Sequence, residues 1–320
     1  MKKMFMAVIA VMMAFSVSAQ FYIYCKNGQV IEVDSISIIA PNGNTPDIPT
    51  PDTPNELTGV FSVAADKQVK FSRGNLQYTQ STQTWSFAST QYEFLGTDNV
   101  IGGRVSTSST MGDSKSGNQL SDKVDLFGWS SSTSSVPFGV DTSTDWRDYS
   151  GDFVDWGTNT IGTDAPNTWR TLSAYEWDYL LNTRINASNL KGIAHVNGIN
   201  GLILLPDNWV CPSDITFKSG FHQSYGKDYY AAYQSFTADQ WLKLEAAGAV
   251  LIPAAGNRNG TVVKDVHMHG GSWSSTVDDK YLACSLSIAP TRADAVVGGS
   301  NYTAPNRLVG RSVRLVKDVK

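Results

Sequence analysis

From residue 57 onward the chain consists mainly of short β-type runs, and helical periodicity is rare. The first runs are four or five residues long and alternate with polar residues or glycine: Val60–Val63, Gln68–Phe71, Gly74–Tyr78, Thr84–Ala88 and Tyr92–Leu95. Helix starts are indicated at only two places, where Ser173–Glu176 and Thr237–Gln240 form capping boxes before apolar residues at helical spacing. The pattern predicts an α+β domain in which two helices of about ten residues accompany twisted antiparallel sheets.

Strand-type runs follow both predicted helices. Ile193–Val196 and Leu202–Leu205 lie on either side of Gly198 and predict a hairpin. Ala249–Pro253 is wholly apolar, which is typical of a strand buried on both faces.

The chain closes on an alternating run, Gly310–Val316. Val313 and Leu315 share one parity along it, so a strand here can direct one face inward. Arg311 and Arg314 fall on opposite parities, which places one of them in solvent and the other in a polar pocket.

Residues 96–162 form a long segment without regular periodicity, rich in serine, threonine, glycine and aspartate. A segment of this kind is usually a functional loop or disordered. Its aromatic residues favour a loop, because they carry enough apolar area to anchor it on a core: Phe127, Trp129, Trp146, Tyr149, Phe153 and Trp156.

The first residues indicate export. Lys2 and Lys3 precede the apolar run Met4–Phe15, and Val17-Ser18-Ala19 has the small-x-small pattern of a cleavage site, so residues 1–19 are predicted to be a signal peptide. The apolar run is short for a membrane span and no second one follows it. We expect an exported protein without a transmembrane segment after signal removal, located in the periplasm, at the cell surface or outside the cell.

Two small segments precede the main domain, which is predicted at 57–320. Residues 20–39 resemble a β-hairpin around Asn27-Gly28. Residues 40–56 contain five prolines among polar residues and are predicted to be an extended linker.

Charge excludes one class of partner. The chain has 25 basic and 29 acidic residues, and the basic ones are scattered along it. Because a phosphate backbone is gripped by clustered Lys and Arg, nucleic acid is not an expected partner.

Four motifs occur in a specific order: Asn167–Leu172 (NTWRTL), Leu204–Trp209 (LLPDNW), Pro253–Gly256 (PAAG) and Arg311–Leu315 (RSVRL). In this order, with Trp273-Ser274-Ser275 between the last two, the chain resembles the C-type-lectin-like fold. The variety is the one shared by formylglycine-generating enzymes and many exported Bacteroidetes proteins. The resemblance covers about Val60 to Val316 and implies that the closing strands form a central sheet whose loops carry the ligand surface.

The predicted ligand surface lies between Trp273 and Arg307. Tyrosine, serine, asparagine and arginine are frequent in adaptable recognition surfaces, since they combine rigid aromatic area with short hydrogen-bonding groups. The candidate ligand-binding residues are Trp273, Ser274, Asp278, Asp279, Tyr281, Arg292, Asn301, Tyr302, Asn306 and Arg307. The alternative is an ordinary polar loop rim.

Metal sites are indicated only weakly. Five aspartates crowd one part of the long loop and could hold calcium, the one cofactor left open: Asp141, Asp145, Asp148, Asp152 and Asp155. Turn capping is the favoured alternative, because the spacing of a calcium-loop motif is absent. His267 and His269 could share one face of a strand, but a third zinc ligand is not identifiable. The Glu-Pro-Asn and Gln-Pro-Asp triplets of calcium-dependent sugar-binding lectins do not occur.

Three hypotheses for function follow. The first is a secreted or surface-exposed recognition protein that binds a glycan or protein ligand through its C-terminal loops. The second is an enzyme of the formylglycine-generating type, which would require a reactive cysteine pair. The chain has three cysteines, and the main domain contains only Cys211 and Cys284. A disulfide between Cys211 and Cys284 and buried free thiols are both open. The third is a structural component of a surface assembly that docks through the N-terminal hairpin.

Overall fold

A computed structural model describes residues 21–24, 30–33, 55–96, 100–101, 105–108, 112–116, 119–133, 135–296 and 304–319. The chain divides into two compact units, residues 1–53 and 54–320. In the first, β1 (Phe21–Tyr24) and β2 (Val30–Val33) pair antiparallel, with Phe21 opposite Val33. The predicted signal peptide and the linker up to residue 54 lie outside the described residues.

The larger unit contains many short strands: β3 (Phe61–Ala64), β4 (Lys67–Phe71), β5 (Leu76–Thr79), β6 (Thr84–Phe87), β7 (Val100–Ile101), β8 (Val105–Ser108), β9 (Gly112–Ser116), β10 (Gln119–Leu120), β11 (Lys123–Val124), β12 (Lys191–Val196), β13 (Ile199–Leu204), β14 (Ser235–Phe236), β15 (Val250–Pro253), β16 (Asn257–Asn259), β17 (Val262–Val266), β18 (Gly270–Val277), β19 (Ala283–Ala289), β20 (Arg292–Val296) and β21 (Val316–Asp318). They pair in the orders β21–β4–β3, β11–β5–β6, β14–β12–β13–β15, β16–β17–β9–β8, β18–β19–β20 and β10–β7. The described pairs are antiparallel except β12 with β14. The predicted α+β class, with small antiparallel sheets and few helices, is confirmed.

Both predicted helices form where the capping boxes place them. Helix α1 (Ala174–Asp178) continues as a π-helical turn (Tyr179–Thr183), and α3 spans Ala238–Ala246. In each, the Ser or Thr side chain accepts from the third residue of the helix, whose side chain bonds back. The short helix α2 (Tyr229–Tyr233) is an addition to the two predicted helices, and its N-cap residue makes no side-chain capping bond that could indicate it.

The hairpin and the buried strand are also confirmed. β12 and β13 pair over their full length and turn at Asn197 and Gly198, whose φ angles of 47° and 88° are those of a type I′ turn. β15 is buried at every residue and pairs with β13.

The aromatic residues anchor the long loop to the core, as predicted. Phe127, Trp129, Tyr149 and Trp156 have no exposed surface. Two indoles reinforce the anchoring through hydrogen bonds: Trp129 Nε1 donates to the Ser274 carbonyl at 3.0 Å, and Trp156 Nε1 to the Phe138 carbonyl at 3.0 Å. Trp146 and Phe153 are the exceptions and stay half-buried, although Phe153 packs against the core. The described part of the larger unit also includes short 3-10 segments at Pro137–Gly139, Trp146–Tyr149, Trp156–Thr158 and Ala187–Asn189.

Two strand predictions are wrong. Tyr92–Leu95 is irregular, because the Glu93 carboxylate closes a turn on the Ser89 backbone and hydroxyl, and Leu95 N–H donates to Asp125 at 2.7 Å. The closing run is regular strand only at β21, although Ser312 and Val316 form single bridges to distant segments.

The predicted one-sided burial of the closing run is wrong as well. Ser312, Val313, Arg314 and Leu315 are all buried, so both faces of the run point into protein. Arg314 Nη2 donates to the Gln91 amide oxygen at 3.2 Å and to the Leu251 carbonyl at 2.5 Å. Burial lowers the pKa of Arg314 to about 9, an effect that the Glu245 charge opposes.

Helix α1 is fixed to the sheets by an ion-pair network. Glu176 pairs with Lys67 and Arg170, each at 2.9 Å, and Arg170 also pairs with Asp318 of β21 at 2.7 Å. Burial raises the pKa of Glu176, but hydrogen bonds from Arg170, the Ser173 backbone and Lys67 outweigh this, so the net pKa lies below the ordinary value.

In the described part of the chain, every helix is too short or too polar to span a membrane.

Candidate functional site

The turn between β18 and β19 is held by Asp279. Its Oδ1 accepts the N–H groups of Tyr281 at 2.6 Å and Leu282 at 2.7 Å, which is the Asx-turn arrangement. Asp278, Asp279 and Lys280 are exposed on the turn, and Tyr281 is half-buried. The turn therefore presents three charged side chains and one aromatic ring from a fixed backbone.

A second turn comes from the aspartate-rich part of the long loop. The Asp145 carboxylate caps the segment Trp146–Tyr149 by accepting from the Arg147 N–H at 3.0 Å. Asp141 accepts the Tyr149 hydroxyl at 3.1 Å. Burial, together with the Asp141 charge, raises the pKa of Tyr149, so this hydroxyl is a permanent donor that ties the loop to the core.

The structure brings these two turns together. The Trp146 and Tyr281 rings pack edge to face at 4.4 Å between centroids and 70° between planes. Lys280 Nζ lies 4.6 Å from the Tyr281 ring centroid and 5.7 Å from that of Trp146, and the Arg147 guanidinium lies 5.2 Å from the Trp146 centroid. We call Asp145–Arg147 together with Asp278–Tyr281 the Trp146–Tyr281 surface.

Arg307 connects the two turns through hydrogen bonds from its buried guanidinium to backbone carbonyls of both. Its guanidinium donates to the carbonyls of Tyr149 at 3.2 Å and Gly151 at 3.1 Å in the long loop. It also donates to the carbonyls of Asp279 at 2.5 Å and Leu282 at 3.3 Å. Arg307 is 3 % exposed, and burial lowers its pKa. It therefore sets the position of the surface without belonging to it.

Three candidate ligand-binding residues are interior, which corrects the prediction for them. Trp273 and Arg307 lie in the protein interior, and Trp273 Nε1 donates to the Phe127 carbonyl at 2.7 Å. Ser274 is also buried, and its hydroxyl donates to the Cys284 carbonyl at 2.8 Å. Their polar groups are satisfied inside the fold, so they are removed from the predicted surface.

The other candidates are distributed differently. Asp278, Asp279 and Tyr281 belong to the Trp146–Tyr281 surface, and the half-buried Asn306 forms a bridge with Leu282 at its edge. Arg292 pairs with Asp294 at 3.0 Å at the far end of the β18–β20 sheet, about 20 Å from the turn by the rise of β19. It cannot share a ligand site of ordinary size with Tyr281. Asn301 and Tyr302 lie outside the described residues.

The structure does not bring the five aspartates together, and the contacts of the described residues agree with turn capping, the favoured interpretation, rather than with the weak calcium candidate. Asp155 accepts from the Thr171 backbone and hydroxyl at 2.9 Å, and Asp148 accepts from the Ser143 hydroxyl. Asp152 is exposed. Among the described residues, no three His, Cys, Asp or Glu side chains lie close enough together to hold a metal ion. Turn capping, the alternative, accounts for Asp141, Asp145 and Asp155.

The structure neither places the two candidate histidines on one face of a strand nor joins Cys211 to Cys284. His267 lies in a turn rather than on a strand, and His269 bonds to the Tyr225 hydroxyl, with its pKa lowered by burial. Cys211 and Cys284 are not joined to each other, so the possible disulfide between them does not form. Cys284 has no exposed surface. Cys25 lies outside the described residues.

Trp146, Arg147 and Lys280 are the site residues that sequence reasoning missed. Trp146 is flanked by Asp145 and Arg147, whereas the buried Trp129 follows Gly128 and precedes Ser130. Charged neighbours on both sides are a local indication that a large aromatic ring stays near solvent.

Comparisons of the chain with protein-family models, with curated proteins and with solved structures find no match.

Proposed function

We propose that residues 54–320 form an exported recognition module with a C-type-lectin-like fold, which binds a glycan or protein ligand through the Trp146–Tyr281 surface. The observation that carries this proposal is the pair of incompletely buried aromatic rings, packed against each other at a junction of two loops and surrounded by exposed charges. Tryptophan and tyrosine at the centre of a patch, with charged groups at its rim, are the composition of binding hot spots.

Preorganisation supports the same proposal. The backbones of both turns are fixed by Asp279, Asp145 and Arg307 before a ligand arrives. A ligand that binds here does not have to order the loops, and the entropic cost of binding is reduced accordingly.

The fold and the location belong to the proposal. The meander β18–β19–β20, with the binding turn at one end, is compatible with the closing strands and loops implied by the sequence resemblance. The predicted signal peptide supports export to the periplasm, the cell surface or the medium.

The formylglycine-type alternative is not favoured, because that chemistry needs an accessible cysteine pair. Cys284 is completely buried, and the half-buried Cys211 donates its thiol hydrogen to the Ile215 carbonyl at 3.3 Å. Docking in a surface assembly through β1 and β2 stays a prediction.

The test is a binding screen of the exported chain against arrays of glycans and extracellular matrix proteins, followed by variants. Trp146→Ala and Tyr281→Ala should each weaken a specific hit about tenfold or more, since central aromatic residues dominate such interfaces. Tyr175→Ala is the matched control. Tyr175 is 69 % exposed on helix α1, so this substitution removes an aromatic ring outside the Trp146–Tyr281 surface. A specific ligand that still binds the Trp146→Ala, Tyr281→Ala double variant with full affinity would refute the assignment.

A further inference from the structure

A second surface feature is an open groove of about 530 Å³ beside the β5–β6 hairpin. This volume lies within the roughly 300–1,000 Å³ range of small-molecule sites. Three of its lining residues are aromatic, Tyr78, Trp85 and Phe138, and three carry amide side chains, Gln80, Gln83 and Asn159. Trp85 is buried, whereas Tyr78 and Phe138 are partly exposed, so Trp85 forms the floor and the other two rings stand beside it.

The aromatic part of the groove is rigid. The Tyr78 and Trp85 rings lie 4.6 Å apart on paired strands, and Trp85 and Phe138 pack edge to face at 5.5 Å. The Phe138 carbonyl accepts the Trp156 indole hydrogen, which fixes the segment that carries the ring.

Phe138 itself adopts an unusual backbone conformation. Its φ of 56° lies in the left-handed region, which a bulky residue rarely adopts and which costs free energy. Gln83, at the turn of the β5–β6 hairpin, has a φ of 52° and lines the same groove. Strained residues concentrate at binding sites, where the surrounding structure over-determines them.

The chemistry of the lining selects the ligand. The described residues that line the groove are neutral, so this lining favours a neutral ligand. Each amide presents both donors and an acceptor. Asn159 Nδ2 already donates to the Trp156 carbonyl, which leaves its oxygen available, and Gln80 and Gln83 are exposed at the rim.

We propose that this groove binds a neutral saccharide. The apolar C–H face of a sugar ring packs against Tyr78, Trp85 and Phe138, and its hydroxyl groups exchange hydrogen bonds with the rim amides. The site is separate from the Trp146–Tyr281 surface and does not rest on the function proposed for it.

A proline-rich peptide is the rival occupant, since such segments also dock into aromatic grooves. Its backbone offers carbonyl acceptors but no N–H donor at proline, so the Asn159 oxygen would stay unpaired. Sugar hydroxyls both donate and accept, which matches all three amides. The lining therefore favours the saccharide.

The test is a titration of the full exported chain with neutral hexasaccharides of glucose, xylose and mannose, followed by calorimetry and tryptophan fluorescence. We expect at least one sugar to bind and to change the tryptophan fluorescence of the chain, to which Trp85 in the groove contributes. Tyr78→Ala should weaken that binding more than about tenfold, and Gln80→Ala and Gln83→Ala about five- to tenfold each, as expected for a lost stacking platform and lost hydrogen bonds.

Two controls make the result specific. Gln223→Ala removes an exposed amide elsewhere and should leave sugar affinity unchanged. The Trp146→Ala, Tyr281→Ala double variant should also keep it, which separates this site from the proposed loop surface.

Three outcomes would overturn the proposal. One is the absence of binding by every hexasaccharide up to about 10 mM, the weak end of specific affinity. Another is full sugar affinity in the Tyr78→Ala, Gln83→Ala double variant, with circular dichroism confirming that it folds. The third is binding of a decaproline peptide in place of any sugar, which would assign the groove to peptides.

Discussion

Arg307 is the residue on which the geometry of the Trp146–Tyr281 surface most depends, and Arg307→Ala is its direct test. The guanidinium supplies hydrogen bonds to four carbonyls, two in each loop, and lies 4.3 Å from the Trp129 ring centroid. A hydrogen bond from a charged donor contributes about 1.5 kcal/mol at the low end. Bonds that share one group are not additive, so we count one per loop, or about 3 kcal/mol. The cation–π contact adds about 1 kcal/mol.

The expected cost of Arg307→Ala is therefore about 4 kcal/mol of unfolding free energy. Arg307→Lys keeps the charge but reaches one loop at a time, so it should lose about half of that amount. Urea denaturation measures both values through the transition midpoint. Arg147→Ala is the matched control, because the Arg147 side chain is 71 % exposed and pairs only with the neighbouring Asp145 among the described carboxylates. Its effect should stay within about 0.5 kcal/mol.

Hydrogen exchange shows whether Arg307 stabilises only the two turns or the whole domain. In Arg307→Lys, backbone amides of the two turns should lose protection while those of β12 and β13 keep it, since local opening does not require global unfolding. A loss of less than about 1 kcal/mol in Arg307→Ala, with unchanged exchange in both turns, would refute the role of Arg307.

Three further predictions concern the fold. Because its pKa is lowered, ionised Glu176 contributes stability that is full above about pH 4.5 and is lost as the pH falls through the folded pKa. Glu176→Gln keeps the capping-box acceptor but should cost about 1–2 kcal/mol at pH 7 and flatten this acid dependence in urea titrations; an unchanged pH slope would contradict the assignment. Gly157→Ala should lower the free energy of unfolding by more than about 3 kcal/mol, because the new Cβ would lie 1.8 Å from the Trp169 carbonyl oxygen. Gly198→Ala is the control and should cost about 1 kcal/mol, because Gly198 has a φ of 88° but open space around it. Equal shifts of the two variants in thermal unfolding would contradict this prediction. Arg314→Met should lower the free energy of unfolding, measured by urea denaturation, by no more than about 1 kcal/mol, since no described group accepts from Arg314 Nε or Nη1. A loss above about 3 kcal/mol would show that the two hydrogen bonds of Nη2 outweigh the cost of burying the guanidinium.

The sequence by itself determined the elements whose stability comes from neighbours in the chain. A capping box is completed within four residues, which is why both helix starts are where Ser173 and Thr237 place them. The turn at Asn197 and Gly198 needs only two left-handed residues between strand-type runs. The apolar run at Ala249–Pro253 is buried because it has no polar face to present to water.

Only the tertiary structure decided which distant segments meet. Trp146 and Tyr281 become neighbours because Arg307 holds both turns, and no local pattern encodes that contact. Arg292 lies outside the site because it pairs with the end of β19 that is remote from the turn. Trp273 can be buried because its indole N–H donates to the Phe127 carbonyl inside the fold. The alternation of the closing run predicts one buried face, yet both are buried, because protein packs on each side. Burial and contact between remote segments depend on how the sheets assemble, and a period of two along one strand carries no information about that assembly.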